Sequence, residues 1–588
     1  MPTSRLKFVW ISALLAGCPA SPPPTATTTT TTTTIKPAVD TMAVLEADEA
    51  ALRPWLRDRL LAGDELPSGA DPIALDVVDG GVVVRGRRGE RWSIANDIVS
   101  AASGERADEE VDDVFHAGRV VVRFERLERR LRITVDDRET IVDFQGALFS
   151  MLERRTRDGV EIFVAGLEDA PLDRSGGSFG NIDSFLFRID VDDGGAVSRR
   201  WSLNLSAAGV VTPKALAFVL EPEPRDGSIT CPSRQDIAVV GAGNGTLAIV
   251  DDDTGEVRDV VDGLVGGTDI VATGARSVAV VSPIADAVAF IDLDSGARRL
   301  VPIVDAAHPR ADDLARLGEL LVFSTALAPE QSSDGPLSRF TCEACHFAGG
   351  VDGRVHGTGR FDGGDEVLAT TRPLTGLFQN PPLFSRGLDE SVAVMVHAEV
   401  GVANANSPRS PWTPLVVDLE APFIRDVVAD IADVVDPLHQ RRAMLRFFAT
   451  FGAPREPTRH DMHPGLARGR TLFTQHCQRC HQPRVFTNDV DSVVDPLLHP
   501  GAVTWAGAFH VDVGVRPLVH PDGARPASLR DVRHKRPLLT NGSAKDLSAL
   551  VRQLRIADEQ IQHDGDPARG TAFDDDDVEA LVVFLNTL

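Results

Sequence analysis

The chain of 588 residues is short of positive charge: 60 lysines and arginines stand against 86 acids, a formal net charge of −26 at pH 7. Phosphate binding needs a basic face, so nucleic acid is excluded as a partner, and anionic lipid headgroups fit the folded part no better. Tyrosine is absent and aromatic residues make up only 5% of the chain, which removes the phenol from every ligand set. Past the N-terminus there is no apolar run of about 18 residues, so no transmembrane helix is expected in the mature protein. Cysteine is scarce, at six residues. Length allows about three or four domains, and composition reads as soluble and globular.

The N-terminus reads as an export address. Arg5 and Lys7 precede a short apolar run, Phe8 to Ala16, and then Gly17-Cys18. A charged start, a short apolar stretch and small residues before a processing point describe a signal peptide. Leu14-Leu-Ala-Gly-Cys18 resembles a bacterial lipoprotein signal, in which the cysteine carries the lipid. Residues 1–17 are therefore read as signal and Cys18 as the lipidation site. The expected location is the cell envelope, periplasm-facing or at the cell surface, with membrane contact only through the lipid. Residues 18–43, with three prolines at 22–24 and a threonine run from 27 to 34, read as an extended tether.

Four of the six cysteines form two Cys-x-x-Cys-His units, Cys342-Glu-Ala-Cys345-His346 and Cys477-Gln-Arg-Cys480-His481. This is the pattern of covalent haem attachment: two thiols add to the haem vinyl groups and the histidine supplies an iron ligand. A zinc site would pair two Cys-x-x-Cys units about 15–20 residues apart, whereas these lie 135 apart. A thioredoxin-like pair would not need the histidine, nor occur twice. Two covalently bound haem c groups are the expected cofactors, with His346 and His481 as iron ligands. Cys231 reads as a buried free thiol. Of 15 histidines, only His116 precedes residue 300.

Along the chain, residues 44–73 open with an amphipathic helix, and 74–305 turn to short β-rich runs punctuated by Asp-Gly and Ser-Gly turns. Asp236–Val240 with Gly245–Gly255, and Ser277–Val281 with Ala287–Gly296, are alike, and their turn glycines sit 41 residues apart. That is the period of a four-stranded propeller blade. Ser184–Gly194 looks like a third copy, and the span holds five or six blades. A β-sandwich or an irregular β domain is the other architecture compatible with these runs. From 306 the pattern becomes helical and loop-rich, with helices predicted at 311–323, 440–451, 465–477 and 576–588. The fold class is multidomain: an all-β, propeller-like N-terminal domain, then a mainly α module of two cytochrome c domains at 306–458 and 459–588.

This second half resembles the bacterial di-haem cytochrome c peroxidase family, which includes the MauG-like enzymes. The resemblance rests on Leu317–Leu327, Phe340–His346 and Gly349–Gly353 around the first unit. Gly469–Phe473, Cys477–His481 and Phe486-Thr487 carry it around the second, with Pro526–Val532, Pro537–Gly542 and Asp577–Leu585 at the C-terminus. The resemblance implies that Cys342, Cys345 and His346 hold the haem where peroxide is cleaved. Cys477, Cys480 and His481 would hold the haem that receives electrons. It further implies His356 as the distal histidine and Glu399, with His397 beside it, as the acid assisting O–O cleavage. Departures are specific. Leu554 stands where the peroxidases place a distal methionine, leaving His563, His534 and Met462 as candidates. Ser385 stands where a bridging tryptophan is usual, with Trp505 or Trp412 as substitutes. The family's interhaem calcium is the weakest implication, because Lys535 falls where a threonine normally contributes.

The functional expectation is an exported, lipid-anchored di-haem oxidoreductase. It would reduce hydrogen peroxide, or oxidise a protein side chain in the MauG-like manner, with a small cytochrome or cupredoxin as electron donor. The alternative is a non-catalytic electron carrier or redox sensor whose propeller serves as docking platform. A third reading is a surface binding protein with a vestigial haem domain.

Overall fold

Runs such as Asp236-Ile-Ala-Val-Val240 and Ser277-Val-Ala-Val-Val281 are apolar at successive positions, as a strand buried on both faces must be. In the computed structural model they are the second strands of two four-stranded antiparallel sheets. The structure describes residues 41–62, 70–78, 81–87, 90–95, 98–103, 112–169, 182–220, 235–305, 310–329, 339, 341–360, 366–379, 383–384, 389–403, 413–451, 463–478, 481, 526–529, 532–557, 560–563 and 565–588. Cys18, the tether up to residue 40, Cys231, Cys480, Met462, Ser385, Trp412 and Trp505 lie outside them, and residues 41–43, read as the end of the tether, belong to a helix instead.

Among the described residues five such sheets follow one another, over residues 72–103, 112–143, 148–204, 213–262 and 269–302. Each is a simple meander, and together they make a propeller-like region. Alternation decides which neighbour each side chain meets. Ile237 and Val239 pack with Phe163 and Leu186 of the third sheet, whereas Ala238 and Val240 pack with Val278 and Val280 of the fifth. Ala279 and Val281 face Leu75 and Val84 of the first sheet, and Ile162 and Phe187 of the third face Val122 and Ile133 of the second. At roughly 1.5–3 kcal/mol for each fully buried aliphatic or aromatic side chain, these seams account for the association of the sheets.

The repeated turns have one chemistry. Gly255 N–H donates to the Asp251 carbonyl at 3.0 Å and Gly296 N–H to that of Asp292 at 2.9 Å. The same aspartates accept backbone N–H groups on their side chains, from Thr254 at 2.7 Å and Ser295 at 2.8 Å. The acidic turn residues are thus Asx-turn acceptors. Gly195 N–H donates to Asp192 in the third copy, one residue later than the sequence comparison placed that glycine.

In a meander, the turn between strands two and three and the connection to the next sheet share one end. Here that end carries the rest of the chain. Thr325 N–H donates to the Gly243 carbonyl at 2.8 Å, buried Arg316 pairs with Asp286 at 2.8 Å, and Arg129 donates to the Gly353 carbonyl.

Helix α1 (Thr41–Ala62) precedes the sheets. Among the described residues of 306–588, six helices reach seven residues: α2 (Asp313–Phe323), α3 (Val392–Ala403), α4 (Pro437–Thr450), α5 (Leu466–His476), α6 (Leu547–Gln553) and α7 (Asp575–Leu585). Aspartates cap four of them: Asp312, Asp436, Asp546 and Asp574 each accept backbone N–H groups of the first turn. Irregular segments take much of the remainder, so the half is less helical than expected. None of the described helices is long and apolar enough to cross a membrane. Helix α1 joins this half: Asp48 pairs with Arg442 at 2.6 Å, and buried Glu49 accepts the Ala393 N–H at 2.8 Å.

One device occurs twice. A Cβ on Gly318 of α2 would stand 2.0 Å from the Ala443 carbonyl oxygen and 2.7 Å from the Phe447 Cβ, both on α4. A Cβ on Gly469 of α5 would stand 2.0 Å from the Ala580 carbonyl oxygen and 2.8 Å from the Phe584 Cβ, both on α7. Glycine lets each helix pair cross backbone to backbone. Phe323 meets Phe447, and Phe473 meets Phe584, with ring centroids 5.8 and 5.2 Å apart.

Candidate functional site

Each glycine-bearing helix leads to a Cys-x-x-Cys-His unit. Helix α5 runs directly into Cys477, whereas α2 ends 19 residues before Cys342. At Cys342 the backbone makes a 3₁₀ turn, and the Cys342 carbonyl accepts N–H bonds from Cys345 at 3.2 Å and His346 at 2.7 Å. Both thiols and the imidazole are thereby gathered on one turn, and no disulfide joins Cys342 to Cys345. At the second unit His481 N–H donates to the Cys477 carbonyl at 2.9 Å, the same four-residue bond. His481 Nδ1 lies 3.2 Å from the Ala527 carbonyl. As donor to that carbonyl, Nδ1 carries the proton and Nε2 keeps its lone pair for a metal. Cys480 is outside the described residues.

The first unit lies in a dense electrostatic setting. Burial holds the His346 imidazole down to about 4, against the opposing charge of Asp352, so it is neutral at physiological pH. Asp352 is buried. Its Oδ2 meets His356 Nε2 at 2.9 Å, and its Oδ1 accepts from the Thr371 hydroxyl at 2.8 Å and the Arg354 N–H at 3.1 Å. Burial raises this carboxyl, but His356, Arg354 and Thr371 together pull it below its ordinary value. The ligand atoms of Cys345, Asp352 and His356 lie within 4.8 Å of one another.

His356 thus stands beside Cys345, on the strand Val355–Arg360, while Glu399 acts on the other cysteine. Burial first, then the Glu399 carboxylate, raise the Cys342 thiol. Glu399 itself is raised to about 7, by burial and then by Asp389. A carboxyl at that value both holds and releases a proton near neutrality. His397, two residues earlier on α3, is lowered by burial and then by Arg441.

Around the second unit, Leu554 is buried in the core against which Cys477 packs. His563 follows the short strand Gln560–Gln562, and its carbonyl accepts from Gln553. His534 closes a 3₁₀ turn from Val532. Buried Lys535 donates its ammonium to the Ser528 carbonyl at 2.9 Å. A fixed cation on a carbonyl is a poor neighbour for calcium. One segment links the two units. Ala527 meets His481, while Thr540 accepts the Thr370 N–H at 2.9 Å, and Thr370 lies on the strand paired with that of His356.

Residues that sequence reasoning missed lie in the propeller-like region. Lys214 Nζ pairs with Glu343 at 3.0 Å, both side chains buried, and Glu343 sits between the two cysteines of the first unit. The Arg126 guanidinium lies 3.7 Å from the ring centre of Phe347, and Lys214 lies 5.0 Å from it. Thr212 and Thr341 share a buried hydroxyl bond of 3.1 Å. A lysine near the start of an otherwise apolar strand, Pro213–Leu220, was the one available signal.

No protein-family model and no curated protein matches the chain. Solved structures similar to it include the nidogen/laminin complex, at 14% identity and TM-score 0.25, covering 41% of this chain and 82% of that one. Saccharomyces cerevisiae Sqt1 is similar at 11% identity and TM-score 0.25, covering 42% and 65%. A functionally unknown protein from Desulfotomaculum acetoxidans is similar at 13% identity and TM-score 0.22, covering 42% and 75%.

Proposed function

We propose that this protein is an exported di-haem c-type cytochrome that reduces hydrogen peroxide at the first Cys-x-x-Cys-His unit. The observation that carries the reading is the duplication: two such units, each preceded by a helix whose glycine crosses a partner helix in the same way. The donor set fits the group. Cys342 and Cys345 share a turn without a disulfide, His346 is neutral, and His481 has Nδ1 placed on a carbonyl. Cys342, Cys345 and His346 would hold one haem, and Cys477, Cys480 and His481 the other. Bound haem would supply the iron that accepts electrons from a donor protein and delivers them to peroxide.

The chain's own contribution is proton handling and orientation. Reducing hydrogen peroxide to two waters consumes two electrons and two protons. Glu399, at about 7, is the group whose proton is held loosely enough to leave near neutral pH. Asp352 holds His356 in one orientation and compensates any positive charge that forms on it. Burial of His346 keeps protons off the imidazole and water away from it.

A second reading, electron transfer without peroxide chemistry, is favoured by Leu554 standing buried where a methionine ligand is expected, and by the lack of tyrosine. One preparation separates the two. Expressed in a host competent in cytochrome maturation, the protein gains the mass of two haems and a c-type pyridine haemochrome spectrum. Cyanide or peroxide then perturbs at least one ferric iron. Two low-spin irons inert to both ligands support the carrier reading, and a colourless product of bare polypeptide mass defeats both. Anchoring is tested independently: Cys18→Ser moves the protein from the membrane to the soluble fraction, and unchanged fractionation overturns the lipid assignment.

A further inference from the structure

We infer that the propeller-like region is a working part of the first centre, with Lys214 as the positioning residue that holds the Cys342–Cys345 turn and balances the charge inside it. The inference rests on the reading that haem is attached at that turn. The observations come from three sheets. Lys214, on the first strand of the fourth sheet, pairs with Glu343 at 3.0 Å. Thr212, just before that strand, bonds Thr341 at 3.1 Å. Arg126, in the turn between strands two and three of the second sheet, covers the Phe347 ring, and Phe149 of the third sheet packs against it at 5.7 Å. Ala147, Phe149, Leu167 and Ile182 form one apolar cluster with Ala344 and Phe347. The turn is therefore gripped on both sides of Cys345.

A buried ion pair is an expensive way to hold a loop, because each ion loses several kcal/mol of hydration. It persists when the geometry is good and the remaining valences are met. Both conditions hold here. Glu343 accepts the Ala348 N–H at 2.9 Å as well as the ammonium, and the ammonium also faces the Phe347 ring. Such pairs specify one arrangement rather than adding net stability. Their charges are also weakly screened, since no bulk water or salt surrounds them. Lys214 and Glu343 cancel as a pair, and removing either exposes the first centre to the other.

The test is a charge cycle. Lys214→Met leaves a negative charge inside the turn and moves the midpoint potential of one haem to lower values. Glu343→Gln leaves a positive charge and moves the same haem upward. The double variant returns towards wild type, and the other haem stays unmoved throughout. Selective loss of one haem in Lys214→Met, with the second retained, also supports the inference. Two haems at wild-type potentials in both single variants overturn it. If the wild-type protein is itself colourless, the proposed function fails and the clamp is judged separately. Hydrogen exchange over 341–350 of the bare polypeptide then accelerates in Lys214→Met, and unchanged exchange overturns the clamp.

Discussion

The two Cys-x-x-Cys-His units share a scaffold and differ in company. Gly318 over Ala443 and Phe447 repeats Gly469 over Ala580 and Phe584 almost atom for atom. Yet the α2/α4 pair belongs to the same apolar core as the fourth and fifth sheets, whereas α5 and α7 sit in a separate core with Leu538, Val551 and Leu554. The first unit is consequently bounded by charged side chains from elsewhere in the chain, and the second by its own segment. Local geometry was copied, and the electrostatic environment was not. Two copies of one Cys-x-x-Cys-His arrangement therefore stand in different surroundings.

The most drastic way to break the symmetry is to remove the thiols of the proposed haem sites. Cys342→Ala with Cys345→Ala, and separately Cys477→Ala with Cys480→Ala, should each remove one haem's worth of mass and absorbance. Only the first should abolish any cyanide-induced spectral change. Next in size is Glu399→Gln. With the acid near 7, peroxide turnover in the wild type should fall as pH rises through about 7, since the carboxyl loses its proton. The glutamine variant should lose about 10²-fold in rate at pH 6, the scale of general acid catalysis, and lose that inflection. A stopped-flow pH series reads both.

Smaller effects sharpen the difference in cores. Gly318→Ala and Gly469→Ala each force a methyl onto a backbone oxygen and should each cost about 1–3 kcal/mol in spite of alanine's better helix propensity. Hydrogen exchange should register the first in the sheets as well as the helices, and the second only within 463–588. Glu319, on α2, is raised to about 8 by burial, with Arg316 opposing and Asp286 and Asp71 adding to the effect. Its folded value lies above the ordinary 4.5, so its contribution to stability is complete below about 4.5 and is lost as pH rises through about 8. Glu319→Gln should flatten the decline in denaturation midpoint between pH 5 and 9. An unchanged slope would remove Glu319 from that account.

How much was legible beforehand follows from the range of each interaction. Runs apolar on both faces, Asp-led turns and helical spacing are local, and the strands at 235–241 and 277–282 and helices α2, α4, α5 and α7 fell close to expectation. The first two sheets were harder to count because their strands mix charge with apolar residues, as in Arg130–Val135 with its alternating burial. Haem attachment and its division of labour remain readings of motif and resemblance. The clamp was invisible for another reason. Lys214 and Glu343 lie 129 positions apart, and no periodicity relates residues on different sheets and loops. Likewise α1 was read only as an amphipathic helix ahead of the sheets, and Arg442, the partner of its Asp48, is 394 residues away.

A wheel of sheets ordinarily offers two ends to the outside. In this protein one end is stoppered by the chain's own later segments, through Gly243, Asp286 and Arg129. A visitor from solution meets the opposite end, where the exposed turn residues include Asp136, Asp158, Asp192, Asp253 and Asp294. Arg119, Arg188 and Arg276 pair with Asp136, Asp253 and Asp294 there, so that rim presents ion pairs rather than a bare acidic face.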